Sequence, residues 1–278
     1  MTIWEIFVAI VLGLVEGLTE FAPVSSTGHM IIVDDLWFKS NQIFGDEVAN
    51  AFKVVIQLGS ILAVVVIFWD RFMDLLGIKK IKSTSGESGK KLNLLQVIVG
   101  LLPAGVLGVL FEDYIDEYLF SINTVAVGLL LGAFLMLAAD KFESKVKVHK
   151  ADTVDQITYK QALGVGLIQC LALWPGFSRS GSTISGGVLL GMSHRAASDF
   201  TFIMAVPIMA GASLLKVVKY WEDFTPDVLP FFIAGFISAF VFALFFIRFF
   251  LKLINKIKLK PFAIYRIVLA IILFMIAI

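Results

Sequence analysis

Residues 16–29 read Glu-Gly-Leu-Thr-Glu-Phe-Ala-Pro-Val-Ser-Ser-Thr-Gly-His, and this stretch constrains the fold of the whole chain. It places two carboxylates, a run of three hydroxyl groups and an imidazole within otherwise apolar sequence. An ionisable side chain at membrane depth costs about 2.5–3.5 kcal/mol on insertion scales. A polar cluster in such sequence therefore indicates a functional site, which the remaining segments must surround.

The composition is that of an integral membrane protein. Of the 278 residues, 59% are hydrophobic and 16% are charged, and the mean hydropathy is +0.91, whereas soluble domains are about 45–50% apolar. We therefore expect an all-α polytopic membrane protein. The net charge of +1 gives no reason to expect a nucleic-acid partner. Cys170 is the only cysteine, which excludes an internal disulfide and a thiolate metal site.

Apolar segments predict the membrane topology. Two of them, 3–38 and 159–191, are broken in the middle by Pro, Gly and Ser residues, and their second limbs, about 27–38 and 181–191, are too short to span. We predict that each is a re-entrant helical hairpin, called the first and the second hairpin. The alternative is a pair of full, tightly packed crossings. The predicted transmembrane helices are 48–69, 93–111, 119–139, 196–217, 228–250 and 262–278.

Loop charge predicts the orientation. Loops 70–92, 140–160 and 251–261 hold six, five and four basic residues, whereas loop 112–118 holds four acidic residues and no base. The positive-inside rule places the basic loops in the cytoplasm and the acidic loop outside. The first hairpin then enters from the outer face and the second from the cytoplasmic face, and both termini lie outside.

The two hairpins belong to an internal repeat. A shift of 153 residues aligns Gly13 with Gly166, Glu16 with Gln169, Ser25 with Ser178 and Gly28 with Gly181. Each half holds one hairpin and three crossings, and because three is odd the second copy is upside down relative to the first. We therefore predict a single integral membrane domain made of an inverted-topology repeat, residues 1–150 and 151–278.

The first hairpin carries acids, hydroxyls and an imidazole. Glu16 and Glu20 are four residues apart and share one helical face. Two carboxylates at such a short distance repel each other unless a cation lies between them. The pair therefore suits acid–base catalysis or a divalent-ion site. Each glutamate can instead be the structural partner of a basic residue. The polar residues that follow Pro23 are Ser25, Ser26, Thr27 and His29.

Helix capping accounts for only one of these hydroxyls. A serine close to an imidazole can be an activated nucleophile, so Ser26 and His29 are both candidate phosphoryl acceptors, and the pattern does not separate them. His149 and His194 lie at loops and are predicted to be solvated.

The second hairpin carries a cation. Residues 175–183 read Pro-Gly-Phe-Ser-Arg-Ser-Gly-Ser-Thr and place Arg179 among hydroxyls and glycines at the start of a short helix. Free backbone N–H groups, the helix dipole and a guanidinium together suit a phosphate. An ion pair between Arg179 and Glu20 is an alternative that is compatible with this function. The two hairpins together hold the groups needed for phosphoryl transfer.

Both stretches resemble the signature motifs of the undecaprenyl-diphosphate phosphatase family, the bacterial bacitracin-resistance membrane phosphatases. Residues 16–29 are similar to its glutamate motif with a serine–histidine extension, and 175–181 to its Pro-Gly-x-Ser-Arg-Ser-Gly motif. The resemblance implies hydrolysis of undecaprenyl diphosphate, which recycles the lipid carrier for peptidoglycan synthesis and confers bacitracin resistance. It also implies a divalent cation, expected as Mg²⁺ or Ca²⁺, and an active site on the outer side of the cytoplasmic membrane.

This hypothesis assigns a role to each site residue. Ser26 attacks the terminal phosphorus, His29 with Glu20 moves the proton, and Arg179 holds phosphate oxygens. Glu16, or both glutamates, binds the cation. The expected substrate-binding residues are Ser25, Thr27, Ser178, Arg179, Ser180 and Gly181.

The expected partners are a polyprenyl diphosphate lipid and the bilayer, and a homodimer is left open. The competing hypothesis is a transporter or flippase of a phosphorylated lipid or anion, because inverted repeats are typical of transporters. The serine and histidine beside an arginine favour the phosphatase, since a carrier needs no nucleophile.

Overall fold

A computed structural model describes residues 2–80, 83, 91–119, 121–146, 148–219 and 221–277. Within these residues every regular element is helical and no β-strand is present, which confirms the predicted all-α class. Parts of the basic loop 70–92, residues 81–82 and 84–90, lie outside the described residues, as does residue 278 of the last predicted crossing.

The helices follow the predicted order. Those of the first half are α1 (Ile3–Thr19), α2 (Ser26–Met30), α3 (Ser40–Phe44), α4 (Asp46–Ile67), α5 (Trp69–Leu75), α6 (Leu94–Leu110), α7 (Glu112–Tyr118) and α8 (Ile122–Glu143). A π-helical segment, Ile31–Phe38, follows α2. Those of the second half are α9 (Tyr159–Gln169), α10 (Arg179–Leu189), α11 (His194–Lys219), α12 (Leu229–Ile257) and α13 (Lys260–Ile276). Short 3₁₀ turns occupy Val154–Gln156, Cys170–Leu173 and Trp221–Asp223.

Among the residues that the structure describes, four helices are long and apolar enough to cross a membrane, namely α4, α8, α11 and α12. The two other predicted crossings coincide with α6 and α13, which have 17 residues each. These lengths and compositions are those of a multi-pass membrane protein.

In both broken segments the helix is interrupted where the sequence predicts a break. The chain leaves α1 at Thr19 and resumes a helix at Ser26, and it leaves the 3₁₀ turn at Leu173 and resumes at Arg179. Ser25 and Ser178 precede the new helices with φ of 71° and 70°, a backbone conformation uncommon for residues other than glycine. Each serine accepts a hydrogen bond at Oγ from the N–H three residues later, so each caps its helix.

Helices of the two halves pack closely against each other: α1 and α4 on α12, α9 on α6, and α8 on α13. Two glycines allow the contacts of α1 with α12 and of α9 with α6. A Cβ at Gly13 would lie 2.3 Å from the carbonyl oxygen of Gly235, and one at Gly166 would lie 2.4 Å from that of Gly100. The shift of 153 residues aligns these same two glycines, and at both positions the glycine lies against a backbone carbonyl of the neighbouring helix.

The prediction for His194 is wrong. Its side chain is buried, and its Nε2 lies 2.9 Å from Oδ1 of Asp140. The Asp140 carboxylate also accepts from the N–H groups of Leu259 and Lys260. Because one carboxylate draws the ends of α8, α11 and α13 together, the helix start that carries His194 is packed and not solvated.

Candidate active site

A polar cavity of about 270 Å³ lies between the two broken segments. Residues from both segments form its wall, together with Gln57 of α4, Ala104 of α6 and three residues of α11. The structure thus brings together most of the polar residues that the sequence singles out, although they lie about 150 positions apart. The predicted site residues in the cavity wall are Glu20, Ser25, Ser26, Thr27, Ser178 and Arg179.

Glu20 is the centre of the site. Its Oε2 accepts a hydrogen bond from the Ser26 hydroxyl at 2.6 Å, and its Oε1 accepts from Nη2 of Arg179 at 3.2 Å. The Glu20 and Arg179 side chains are only 8% and 14% exposed, so water screens their attraction weakly. The guanidinium also lies 5.8 Å above the ring of Phe21, within the range of a cation–π contact. The ion pair anticipated between Glu20 and Arg179 is therefore present.

The serines of the second segment connect the two halves. Ser180 donates its hydroxyl to the carbonyl oxygen of Ala22 at 2.9 Å, and the Ser178 hydroxyl lies 3.2 Å from that of Ser180. Oγ of Ser178 accepts from the N–H of Gly181, where α10 begins. Ser178 at the start of α10 and Arg179 thus lie on one side of the cavity, an arrangement suited to an anion.

His29 is on α2, the same short helix as Ser26, but it does not line the polar cavity. Its Nδ1 is 2.7 Å from the carbonyl oxygen of Ser25, and because a carbonyl only accepts, Nδ1 carries the proton. Nε2 then accepts from the hydroxyl of Tyr265 at 2.6 Å, and the two rings stack with 5.6 Å between centroids. The hydrogen bond of Ser26 goes to Glu20, so the imidazole and the hydroxyl have different partners.

Glu16 is buried, and its Oε1 has no hydrogen-bond partner among the described residues. Carboxylate oxygens are the ligands that Mg²⁺ and Ca²⁺ prefer. No cluster of three or more His, Cys, Asp or Glu side chains able to hold a metal is present in the described part of the chain. Mg²⁺ needs few protein ligands, since it keeps water and binds substrate phosphates. Within the residues that the structure describes, Oε1 of Glu16 is therefore an oxygen of this pair of glutamates without a hydrogen bond, whereas both oxygens of Glu20 accept one.

The prediction from the sequence did not include two residues of the site, Tyr265 and Arg266, which are consecutive in α13. Arg266 is fully buried, and its Nη2 donates to the carbonyl oxygens of Gly128, Gly176 and Phe177 at 3.3, 2.9 and 2.8 Å. It thereby holds the loop that precedes Ser178. The available signal was that Arg266 is the only charged residue of the predicted crossing 262–278.

An apolar cavity of about 1040 Å³ adjoins the polar one. Residues of α6 and α11 form most of its wall, which is rich in Leu, Ile, Val and Gly. Seven residues border both cavities, so they form a continuous space with a polar end and an apolar end: Thr27, Ala104, Ala172, Leu173, Pro175, Ile208 and Ala212.

Known proteins are similar to this chain over nearly its full length. The undecaprenyl-diphosphatase of Bacillus subtilis (strain 168) is 66% identical over 276 residues, and that of Geobacillus sp. (strain WCH70) is 71% identical over 276 residues; both alignments cover 99% of each chain. Residues 9–272 match the model of the family described as bacitracin resistance protein BacA. The chain therefore belongs to the bacitracin resistance protein BacA family.

Proposed function

We propose that this chain is a membrane phosphatase that hydrolyses undecaprenyl diphosphate to undecaprenyl phosphate and inorganic phosphate. The observation that carries the proposal is the contact of Glu20 with both Ser26 and Arg179 in a polar cavity that opens into an apolar one. The relatives named undecaprenyl-diphosphatase support it, and they do not support the transporter hypothesis. Release of the carrier lipid for new rounds of peptidoglycan synthesis would account for bacitracin resistance.

Ser26 is the proposed nucleophile. Its Oγ forms a bond to the terminal phosphorus, and its proton passes to Glu20, to which it is already hydrogen-bonded. The bond from that phosphorus to the bridging oxygen breaks, and undecaprenyl phosphate leaves. Water then attacks the phosphoserine and releases inorganic phosphate. The short distance from Ser26 to Glu20 supports this direction of proton transfer.

The second segment is proposed to hold the phosphate. Arg179 provides the charge that stabilises the developing negative oxygens. Ser178 lines the cavity, and Ser180 and Gly181, which are proposed to bind the same phosphate, follow it at the start of α10, where an anion is favoured. Ser25 and Thr27 border the same cavity and complete the proposed binding set.

A divalent cation, Mg²⁺ or Ca²⁺, is proposed at Glu16 and Glu20. When bound it would neutralise charge on the phosphate oxygens. The buried and unpartnered oxygen of Glu16 supports this assignment. His29 remains the proposed second acid–base group, and its hydrogen bond to the Ser25 carbonyl supports a role in fixing the backbone beside Ser26.

The prenyl chain is proposed to occupy the apolar cavity. Its wall is apolar over most of its length, and the residues that it shares with the polar cavity, such as Thr27 and Ala212, mark the position of the lipid–phosphate junction. A lipid with an anionic head matches both ends of such a space.

We also propose that the fold is an inverted repeat of residues 1–150 and 151–278, with both broken segments as re-entrant hairpins. Two observations support the repeat. The aligned residues Ser25 and Ser178 share the same φ and the same capping bond. The pairing of α1 with α12 has its counterpart in the pairing of α9 with α6, each at an aligned glycine.

The proposed location is the cytoplasmic membrane, with the active site on the outer side and both termini outside. The support is the charge of the loops, since the basic loops 140–160 and 251–261 and the acidic loop 112–118 follow the positive-inside rule. A substrate released outside the cell is then within reach of the polar cavity.

The test is release of phosphate from undecaprenyl diphosphate by the full-length protein in liposomes, with Mg²⁺ and with Ca²⁺. We expect turnover by the wild type and a loss of at least about 100-fold in Ser26→Ala, because the nucleophile is gone. Ser213→Ala is the matched control, since this buried serine of α11 has no hydrogen-bond partner among the described residues and does not line the cavity. A folded wild type that releases no phosphate with either cation would refute the proposal.

A further inference from the structure

Gln169 ends α9 in the wall of the polar cavity, and neither the mechanism nor the fold uses it. Its side chain is 2% exposed, and both Oε1 and Nε2 lack a hydrogen-bond partner among the described residues. A buried polar group without a partner is destabilising, and native structures contain few of them. A side chain with both amide atoms in this state therefore needs an explanation other than stability.

Gln169 is the counterpart of Glu16 in the repeat, and the two share this property. Oε1 of Glu16 is also buried and unpartnered. The difference is chemical, because a carboxylate only accepts whereas an amide also donates through Nε2. Gln169 lines the polar cavity together with Arg179 and Ser178, whereas Glu16 does not line it. The Nε2 of Gln169 therefore suits an anion bound beside Arg179, a role that a carboxylate could not fill.

We propose that Gln169 is a substrate-binding residue that donates a hydrogen bond from Nε2 to a phosphate oxygen of the diphosphate. This inference rests on the proposed function. The terminal torsion of a glutamine has broad minima, so the amide can turn toward a ligand at little cost. A phosphate in the 270 Å³ cavity is then the partner that the buried amide lacks.

The decisive variant is Gln169→Leu, because it separates a ligand role from a structural one. If the amide serves only the ligand, its removal eliminates two unsatisfied polar atoms, so the melting temperature of the ligand-free protein should stay equal or rise. kcat/KM for undecaprenyl diphosphate should fall by about 10- to 100-fold, as for loss of a hydrogen bond to a charged group. A lower melting temperature with unchanged kcat/KM would overturn the proposal.

Gln161→Leu is the matched control on the same helix. The amide of Gln161 is fully engaged, since Nε2 donates to the carbonyl of Leu190 and Oε1 accepts from the N–H and hydroxyl of Thr158. This variant should lower the melting temperature by a few degrees and leave kcat/KM of the folded protein unchanged. The two glutamines should thus show opposite patterns.

Gln169→Glu distinguishes a phosphate ligand from a cation ligand. A carboxylate has the same shape but donates nothing and repels phosphate, so kcat/KM should decrease in the order wild type, Gln169→Leu, Gln169→Glu. Activity of Gln169→Glu equal to or above that of Gln169→Leu would mean that this position favours a cation, and would overturn the proposal. A wild type without any phosphatase activity would instead refute the proposed function, and the two failures are distinguishable.

Discussion

Ser26 and Glu20 are joined by a hydrogen bond of 2.6 Å between Oγ and Oε2. The other oxygen of the same carboxylate accepts from Arg179 at 3.2 Å. One buried side chain of the first segment therefore contacts the proposed nucleophile and, across the interface, the proposed phosphate-binding cation. Changes at Glu20 should consequently affect proton transfer and the alignment of the two segments together.

Glu20→Gln keeps the shape of the side chain and removes the base. We expect kcat for undecaprenyl diphosphate to fall by about 10²–10⁴-fold, the usual contribution of a general base. Because Ser26 and Glu20 act as a unit, adding Ser26→Ala should cost little more than the worse single variant. Steady-state phosphate release by the wild type, the two single variants and the double variant tests this coupling. Losses that simply multiply would contradict joint action.

Arg266→Met should destabilise the protein, because it leaves the buried carbonyls of Gly128, Gly176 and Phe177 without this donor. An unsatisfied buried group costs about 1–3 kcal/mol, and Arg266→Lys should recover part of the loss, since an ammonium still donates. Thermal unfolding in detergent measures the effect. Arg248→Met is the control, because Arg248 is exposed on α12 and should change stability by less than about 0.5 kcal/mol. Equal losses in the two methionine variants would argue against the role of Arg266.

Ala212→Trp places a large ring where the polar and apolar cavities meet. If the prenyl chain passes this point, kcat/KM for undecaprenyl diphosphate should fall by at least about tenfold, whereas a short prenyl diphosphate should lose less. Leu214→Trp lies two residues further along α11 and is 64% exposed, so it should affect neither substrate. An equal loss for long and short substrates would place the chain elsewhere.

Gly166→Ala should impair packing of α9 on α6, because the added Cβ would lie 2.4 Å from the carbonyl oxygen of Gly100. We expect a loss of about 1–3 kcal/mol in the free energy of unfolding, as for overpacking in a dense interior. At Gly105 of α6 an added Cβ meets no atom within 4 Å, so Gly105→Ala should be neutral or slightly stabilising. Melting temperatures of the two variants should therefore move apart, and similar shifts would contradict the close contact.

Labelling of engineered cysteines tests the orientation. In a Cys170→Ser background, Glu117→Cys should react with a membrane-impermeant maleimide on intact cells, because loop 112–118 is predicted to lie outside. Lys145→Cys should react only after the membrane is made permeable. Both positions are exposed, so the reagent can reach them from the correct side. The reverse pattern would invert the proposed topology.

Local sequence predicted the helical class and the two chain breaks, because Pro23, Pro175 and Gly176 act through the backbone beside them. Helix ends were harder to predict. α8 begins at Ile122 and not at 119, since Ser121 caps it through the N–H of Thr124. α12 runs to Ile257, past the predicted end at 250, because a helix continues into polar surroundings after its apolar stretch ends.

The polar contacts of the site depend on tertiary packing, which periodicity does not encode. Tyr265, the partner of His29, lies 236 residues away along the chain. Arg266 was detectable as a lone charge in an apolar stretch, but its carbonyl partners were not, because backbone acceptors carry no sequence signal. The sequence therefore indicated which side chains carry chemistry more reliably than which atoms they contact.

The adjacency of Tyr265 and Arg266 has a consequence for assembly. Consecutive residues of a helix are about 100° and 1.5 Å apart, so these two side chains point in different directions, one to His29 and the other to the carbonyls of Gly176 and Phe177. A chain synthesised from its N-terminus produces α13 after all the other described helices. The hydrogen bonds from Tyr265 to the first broken segment and from Arg266 to the second therefore form only after α13 is in place. The rotation of α13 about its own axis then positions both segments at the same time.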